Sequence, residues 1–270
     1  MEIETIRTDR FAMDYVRFGH GKKPLVILPG LSVQSVMNSG DAIAESYRLL
    51  SDEFTIYVLD RRKELPPAYS VEEMGRDTAG ALRAMDLGPV SLFGASQGGM
   101  LALVIALEQP SLVRRLVLGS TAARVTGAQY RAIEQRWIRP AKVGNAAGLY
   151  RAFGEALYPP EVFARSRELL EEAARTVTPE ELRRFVILAE GVRGFDVTEE
   201  LEKISCPVLV LGSRDDSVLG GAAAEELAAP FRSRPDCGLY LYDGYGHAAY
   251  DLAPDYTERM LRFLTAKPTA

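Results

Sequence analysis

The stretch from Val90 to Leu107 constrains this chain more than any other. Val90-Ser91-Leu92-Phe93 reads as a buried strand and Met100 to Leu107 as a buried helix, with little more than Gly94-Ala95-Ser96-Gln97-Gly98 between them. A strand that turns directly into a helix leaves no space for side chains beside the bend, which is what the flanking glycines provide. The residue at the tip is held in a strained conformation with its side chain exposed. Ser96 occupies that position. The helix that follows points its first free N–H groups, beginning with that of Gln97, toward a place where negative charge can be stabilised. Without the strand and the helix, Gly-x-Ser-x-Gly would be an ordinary turn. With them, it marks Ser96 as a candidate nucleophile.

The rest of the chain supplies a sheet for this turn to stand on. Ile3 to Arg7 and Ala12 to Phe18 alternate apolar and polar residues around Asp9-Arg10, which predicts an antiparallel hairpin. Pro24 to Leu28, Thr55 to Leu59, Leu112 to Leu118, Pro207 to Leu211 and Gly238 to Tyr242 read as further strands, several of them continuously apolar, as in sheets buried on both faces. Helical patterns at about Asp41 to Leu50, Val71 to Asp86, Ala222 to Pro230 and Pro254 to Leu264 alternate with them. Ser70 and Glu73 form a capping-box pattern before the second of these helices. The alternation predicts an α/β fold, a mostly parallel, doubly wound sheet of about eight strands. Sites in such sheets form at the carboxyl ends of the strands. Ser96 is at such an end, as are Pro29 to Ser32, Asp60 to Tyr69 and Gly119 to Ala122.

Between about Val125 and Lys203 no strong strand appears. Helical patterns at Gln129–Trp137, Ala147–Leu157, Pro160–Thr176 and Pro179–Ala189 are punctuated by prolines and glycines. An all-helical insertion leaving the carboxyl edge is expected to sit over the site as a cap. The expected division is a core of residues 1–124 and 204–270 and a cap of 125–203. The insertion's aromatics, Trp137, Phe153 and Phe185 among them, could line a pocket, although packing within a small helical core is the commoner role for any one of them.

Composition narrows the function. A net charge of -5 with no basic stripe argues against nucleic acid as a partner. No apolar run approaches a membrane span, and the first residues lack the basic and apolar regions of a signal peptide, so a cytoplasmic location is expected. The expected partner is a small-molecule substrate, with the protein a monomer or homodimer. Cys206 and Cys237 have no metal-ligand spacing and are expected to be reduced; each stands at the start of a predicted strand, and the two strands could be neighbours. No metal or organic cofactor is expected.

A serine hydroxyl needs a base, and the base needs an orienting acid. Only His20 and His247 are available. His20 falls at the far end of the predicted strands. His247 follows the last strand, in the loop Asp243-Gly244-Tyr245-Gly246-His247 at the edge where Ser96 lies, and is the candidate base. The acid should follow a strand and precede His247, and both Asp215 and Asp216 qualify.

The order Ser, Asp, His on a strand–turn–helix elbow resembles the α/β-hydrolase superfamily, and the resemblance covers nearly the whole chain. It implies that the acid stands three residues after the glycine that ends its strand, with a hydrophobic residue three further on. Asp215 with Val218 fits that, so Asp215 is expected to be the acid and Asp216 the alternative. It also implies an oxyanion hole made by the backbone N–H groups of Leu31 and Gln97. Pro29 stands where relatives carry a histidine before the glycine. Relatives often carry Asp-x-Arg-Gly-x-Gly-x-Ser after the Leu59-Asp60 strand. Here Asp60 and Arg62 match but the glycines are missing, so a different loop path is expected, with Arg61 and Lys63 solvated or drawing anions to the cleft. The serine sets the chain apart from branches with an aspartate nucleophile. The resemblance is greatest to esterases, enol-lactonases and carbon–carbon bond hydrolases, and implies cleavage of an ester- or lactone-type bond. A non-catalytic small-molecule receptor, a carbon–carbon hydrolase and a cofactor-free perhydrolase are the alternatives.

Overall fold

The computed structural model describes residues 1–267. Eight strands form one sheet: β1 (Ile3–Arg7), β2 (Ala12–Phe18), β3 (Lys23–Leu28), β4 (Phe54–Arg62), β5 (Val90–Ala95), β6 (Val113–Gly119), β7 (Val208–Ser213) and β8 (Gly238–Tyr242). Their order is β1-β2-β4-β3-β5-β6-β7-β8. The β1–β2 hairpin is antiparallel and so is β2 against β4, while every pairing from β4 to β8 is parallel. This is the expected α/β class. The apolar runs are its cause: all six residues of β5 are buried, as parallel strands covered on both faces require.

The helices before the insertion are α1 (Gly40–Ser46), α2 (Val71–Met85) and α3 (Gln97–Glu108). The predicted 41–50 helix ends early and finishes as a 3-10 turn, Arg48–Leu50. The Ser70–Glu73 capping box forms in both directions, at 3.2 and 2.9 Å. Between β6 and β7 lie α4 (Gly127–Ile133), α5 (Arg139–Lys142), α6 (Ala146–Leu157), α7 (Pro160–Thr176) and α8 (Pro179–Glu190), with a π turn at Glu134–Ile138. Then come α9 (Ala223–Ala228), α10 (Ala249–Leu252) and α11 (Tyr256–Thr265). Among the described residues no helix is long and apolar enough to cross a membrane.

One apolar cluster fills the sheet face under α2, α3 and α9 and runs on without a break into the helices between β6 and β7. The other face packs against Tyr47, Tyr256 and Met260. The ends of the helical segment are drawn together by an antiparallel bridge between Arg124 and Asp196, flanked by Val125 N–H to Phe195 O and Val197 N–H to Ala123 O. Within it, Trp137 and Phe153 meet edge-on at 4.8 Å, and Phe153 and Phe185 at 6.0 Å. Phe185 is fully buried and Trp137, Tyr130 and Tyr150 nearly so, which gives these aromatics the packing role.

β7 and β8 are neighbours, so Cys206 and Cys237 precede adjacent strands. Both are free thiols. Burial pushes the Cys206 thiol up to about 12, which suits a reduced, unreactive group.

Candidate active site

The turn after β5 brings Ser96 to φ 51°, ψ -121°, a region costing a non-glycine residue about 1–3 kcal/mol. The surroundings hold it there. Ser96 N–H donates to Gly119 O at 2.8 Å, and Thr121 Oγ1 donates to Ser96 O at 2.7 Å. Gly98 is required because a Cβ there would lie 1.9 Å from Leu28 O, a backbone atom of the neighbouring strand. Gly98→Ala is therefore expected to destabilise the fold by more than about 3 kcal/mol, since overpacking against rigid backbone reaches the upper range of core clashes. Urea denaturation beside wild type measures it.

His247 lies in a 3-10 turn, Gly246–Ala248, just past β8, and is 1 % exposed. Its Nε2 is 2.8 Å from Ser96 Oγ. Its Nδ1 is 2.8 Å from Asp216 Oδ2. An ionised carboxylate only accepts, so Nδ1 carries the hydrogen and Nε2 is left to accept from the serine hydroxyl. The other Asp216 oxygen accepts from the N–H groups of Val218 and Leu219, at 2.8 and 3.0 Å. Asp216 is 7 % exposed and fixed at both oxygens.

The structure does not bring Asp215, the residue expected to be the acid, to His247; the carboxylate there is that of Asp216. The Asp215 carboxylate turns to the surface side of the loop and does not reach the imidazole. Oδ1 accepts from Ser213 Oγ at 2.6 Å and Gly244 N–H at 3.2 Å, and Oδ2 from Gly246 N–H at 3.0 Å. Burial opposes its ionisation, but these hydrogen bonds outweigh that and hold its pKa below the usual carboxylate range. The cause is the length of β7. Its pairing with β8 continues past Gly212 to Ser213↔Tyr242, and Arg214 N–H still donates to Tyr242 O. The turn starts one residue later than a count from Gly212 assumes, so the inward position falls to Asp216.

Gly30 packs against the nucleophile, where a Cβ would be 3.1 Å from Ser96 Cβ. This sets the Pro29-Gly30-Leu31 segment beside Ser96. Gln97, 2 % exposed, opens α3, whose first N–H groups have no intrahelical partner. His20 is on the surface beside Asp52.

Arg61 departs from expectation. It is 5 % exposed rather than solvated. Between the pairs Met13↔Arg62 and Tyr15↔Leu59 the β2–β4 ladder advances two residues on β2 and three on β4. Asp60 and Arg61 lie in that slip, and bulges of this kind re-aim side chains. Lys63 remains partly exposed and pairs with Asp14. Arg184, from α8, donates to Asp60 Oδ1 at 3.1 Å and to Arg62 O at 2.8 Å, which fastens α8 to the end of β4. Nothing in the helical pattern of 179–189 marks Arg184 for a role. Only the tertiary arrangement shows its partner. Arg124 and Arg136 pair at the surface with Glu226 and Glu155, and Arg139 is exposed.

Among the described residues no cluster of His, Cys, Asp and Glu has the makings of a metal site. The arrangement can instead raise the nucleophilicity of a hydroxyl by general-base catalysis, with backbone donors beside it.

Known proteins with this organisation are numerous. The chain is 29% identical over 228 residues to the proposed carbamate hydrolase RutD of Agrobacterium fabrum, covering 80% of this chain and 84% of that protein. It is 22% identical over 223 residues to 3-oxoadipate enol-lactonase 2 of Acinetobacter baylyi, covering 80% of each. The crystal structure of MGS-M2, an alpha/beta hydrolase enzyme from a Medee basin deep-sea metagenome library, superposes with a TM-score of 0.87 at 20% identity, over 99% of both chains. Residues 25–259 match the alpha/beta hydrolase family, and the chain belongs to it.

Proposed function

We infer that the protein is a serine hydrolase that cleaves an ester- or lactone-type bond of a small molecule through an acyl-enzyme. The observation that carries this reading is the unbroken line from Ser96 Oγ to His247 Nε2 and from Nδ1 to Asp216, each link 2.8 Å. Ser96 Oγ attacks the substrate carbonyl carbon while its proton passes to His247 Nε2. The carbonyl oxygen becomes an oxyanion held by the N–H groups of Leu31 and Gln97. As the tetrahedral species collapses, the Nε2 proton goes to the leaving oxygen and the alcohol departs. Water then attacks the acyl carbon, gives its proton to Nε2, and the second collapse returns that proton to Ser96. Asp216 keeps the imidazole in the required tautomer and stabilises its cation.

The same reading makes residues 1–124 and 204–270 the catalytic core and 125–203 the cap, joined at the Arg124–Asp196 bridge. The surface positions of Arg124, Arg136 and Arg139 favour an uncharged substrate over a carboxylate-bearing lactone. Relatives named for carbamate and enol-lactone hydrolysis support attack at an acyl carbon. The test is a panel of short-chain esters, lactones and carbamates run with wild type beside Ser96→Ala. Turnover of at least one ester or lactone that depends on Ser96 is expected. Turnover confined to carbamates would move the substrate class, and turnover indifferent to Ser96 would overturn the reading.

A further inference from the structure

We propose that Arg61 is a positioning residue for the oxyanion hole: a buried guanidinium that ties both of its arms together and biases it toward negative charge. This rests on the reading of Ser96 as nucleophile. One arm of the hole is Leu31, two residues after Pro29, and the other is Gln97. A single nitrogen of Arg61, Nη2, donates to both segments, to Pro29 O at 2.8 Å and to Gln97 Oε1 at 3.2 Å. The Gln97 amide then donates through Nε2 to Leu188 O of α8 at 2.7 Å. The side chain of Gln97 is thus fixed at both ends, and the turn that presents its N–H is fixed with it.

The electrostatics point the same way. Among the described residues no carboxylate lies within 4.0 Å of the Arg61 guanidinium. Asp60, next in sequence, accepts from the Arg61 backbone N–H at 2.7 Å and is its nearest charge partner, but it is shared with Ser35 at 2.6 Å and with the cation of Arg184 at 3.1 Å, and Asp77 is engaged by Arg62 and Tyr69. The Nε of Arg61 is buried without a partner. Burial lowers the pKa of Arg61 to about 10, which leaves it charged at neutral pH. A buried cation that no carboxylate touches, and whose nearest one is shared with Arg184, is costly to the resting protein. Its field is strong because little water screens it, and it favours whichever state places negative charge nearby. The tetrahedral oxyanion is such a state, whereas a neutral carbonyl is not. Arg61 therefore acts on the transition state more than on substrate binding, through the Pro29 carbonyl and the Gln97 side chain.

Arg61→Met keeps the aliphatic stem and removes the charge and both hydrogen bonds. With a p-nitrophenyl ester, kcat is expected to fall about 10- to 100-fold, less than for a donor that touches the oxyanion, with KM within about twofold. Inhibition by a trifluoromethyl ketone, whose serine adduct carries an oxyanion, should weaken in parallel with kcat/KM. Arg61→Lys, which keeps the charge, should recover part of the loss in both. A merely structural role would not move kcat and the inhibitor together while sparing KM. If Arg61→Met does not fold, Gln97→Glu sets a carboxylate against the guanidinium and should reproduce the same pattern. Ser96-dependent turnover with kcat of the folded variant within about threefold of wild type, or a loss carried by KM, or unchanged ketone affinity, overturns the role of Arg61 alone. Wild type that shows no Ser96-dependent turnover and no labelling of Ser96 by a fluorophosphonate overturns the nucleophile and the role of Arg61 with it.

Discussion

Ser96→Ala and His247→Ala are each expected to lower kcat for an activated short-chain ester by about 10⁵- to 10⁶-fold, to near the level left by the oxyanion donors and binding alone. The two losses should be nearly equal, and the double variant should be little worse than either single one. That non-additivity follows from the geometry. On the proposed mechanism the hydroxyl is activated through the 2.8 Å contact with Nε2, and the acyl-enzyme forms only when both groups are present. Either removal breaks the same step. His20 cannot substitute, because it lies on the surface beside Asp52. Ser96→Ala also removes the atom that a fluorophosphonate labels, whereas His247→Ala leaves it in place but slows its reaction. Steady-state kinetics with purified variants, together with intact-mass measurement after fluorophosphonate treatment, distinguish the two. Full turnover surviving either substitution would falsify the assignment of the nucleophile and base.

The elbow was legible because its constraints are local. The strained φ of Ser96 and the lack of space at Gly94, where a Cβ would lie 2.4 Å from Gly98 O, are imposed by a strand running straight into a helix, and the sequence states both. The placement of His247 beside Ser96 was legible by scarcity, since only one other histidine exists. The strand set was legible because parallel strands buried on both faces leave long apolar runs. Arg61 was not legible, because a basic residue in a polar stretch reads as solvated. Its burial depends on a register slip against β2 and on the acceptors at Pro29 and Gln97, none of which is local in sequence. The same holds for Arg184, whose partners are more than a hundred residues away. The carboxylate beside His247 lies one residue beyond the expected Asp215 for a related reason. Strand ends depend on what the neighbouring strand offers, and β8 offered one more pair than the glycine at 212 suggested.

That one-residue difference carries the second large expected effect. Asp216→Asn should lower kcat by about 10³- to 10⁴-fold, because an amide can donate to Nδ1 and so favour the tautomer that cannot accept from Ser96. KM should change little, and folding should survive, since the Oδ1 position can still accept from the Val218 and Leu219 N–H groups. Asp215→Asn should cost less than about tenfold in kcat, a figure set by the hydrogen bonds it weakens rather than by proton transfer. Its effect falls on stability. Asp215 anchors the N–H groups of Gly244 and Gly246, the residues that lead into His247, and its folded-state pKa is depressed. A depressed carboxylate pKa contributes stability that is present above the unfolded value, about 3.9, and is lost as the pH falls through the folded value. Wild type and Asp215→Asn should therefore differ in urea midpoint at pH 7 and converge in acid, while Asp216→Asn differs from wild type chiefly in kcat. Equal kinetic losses at the two positions, or the larger loss at Asp215, would return the acid to Asp215 and require the loop after β7 to rearrange when substrate binds.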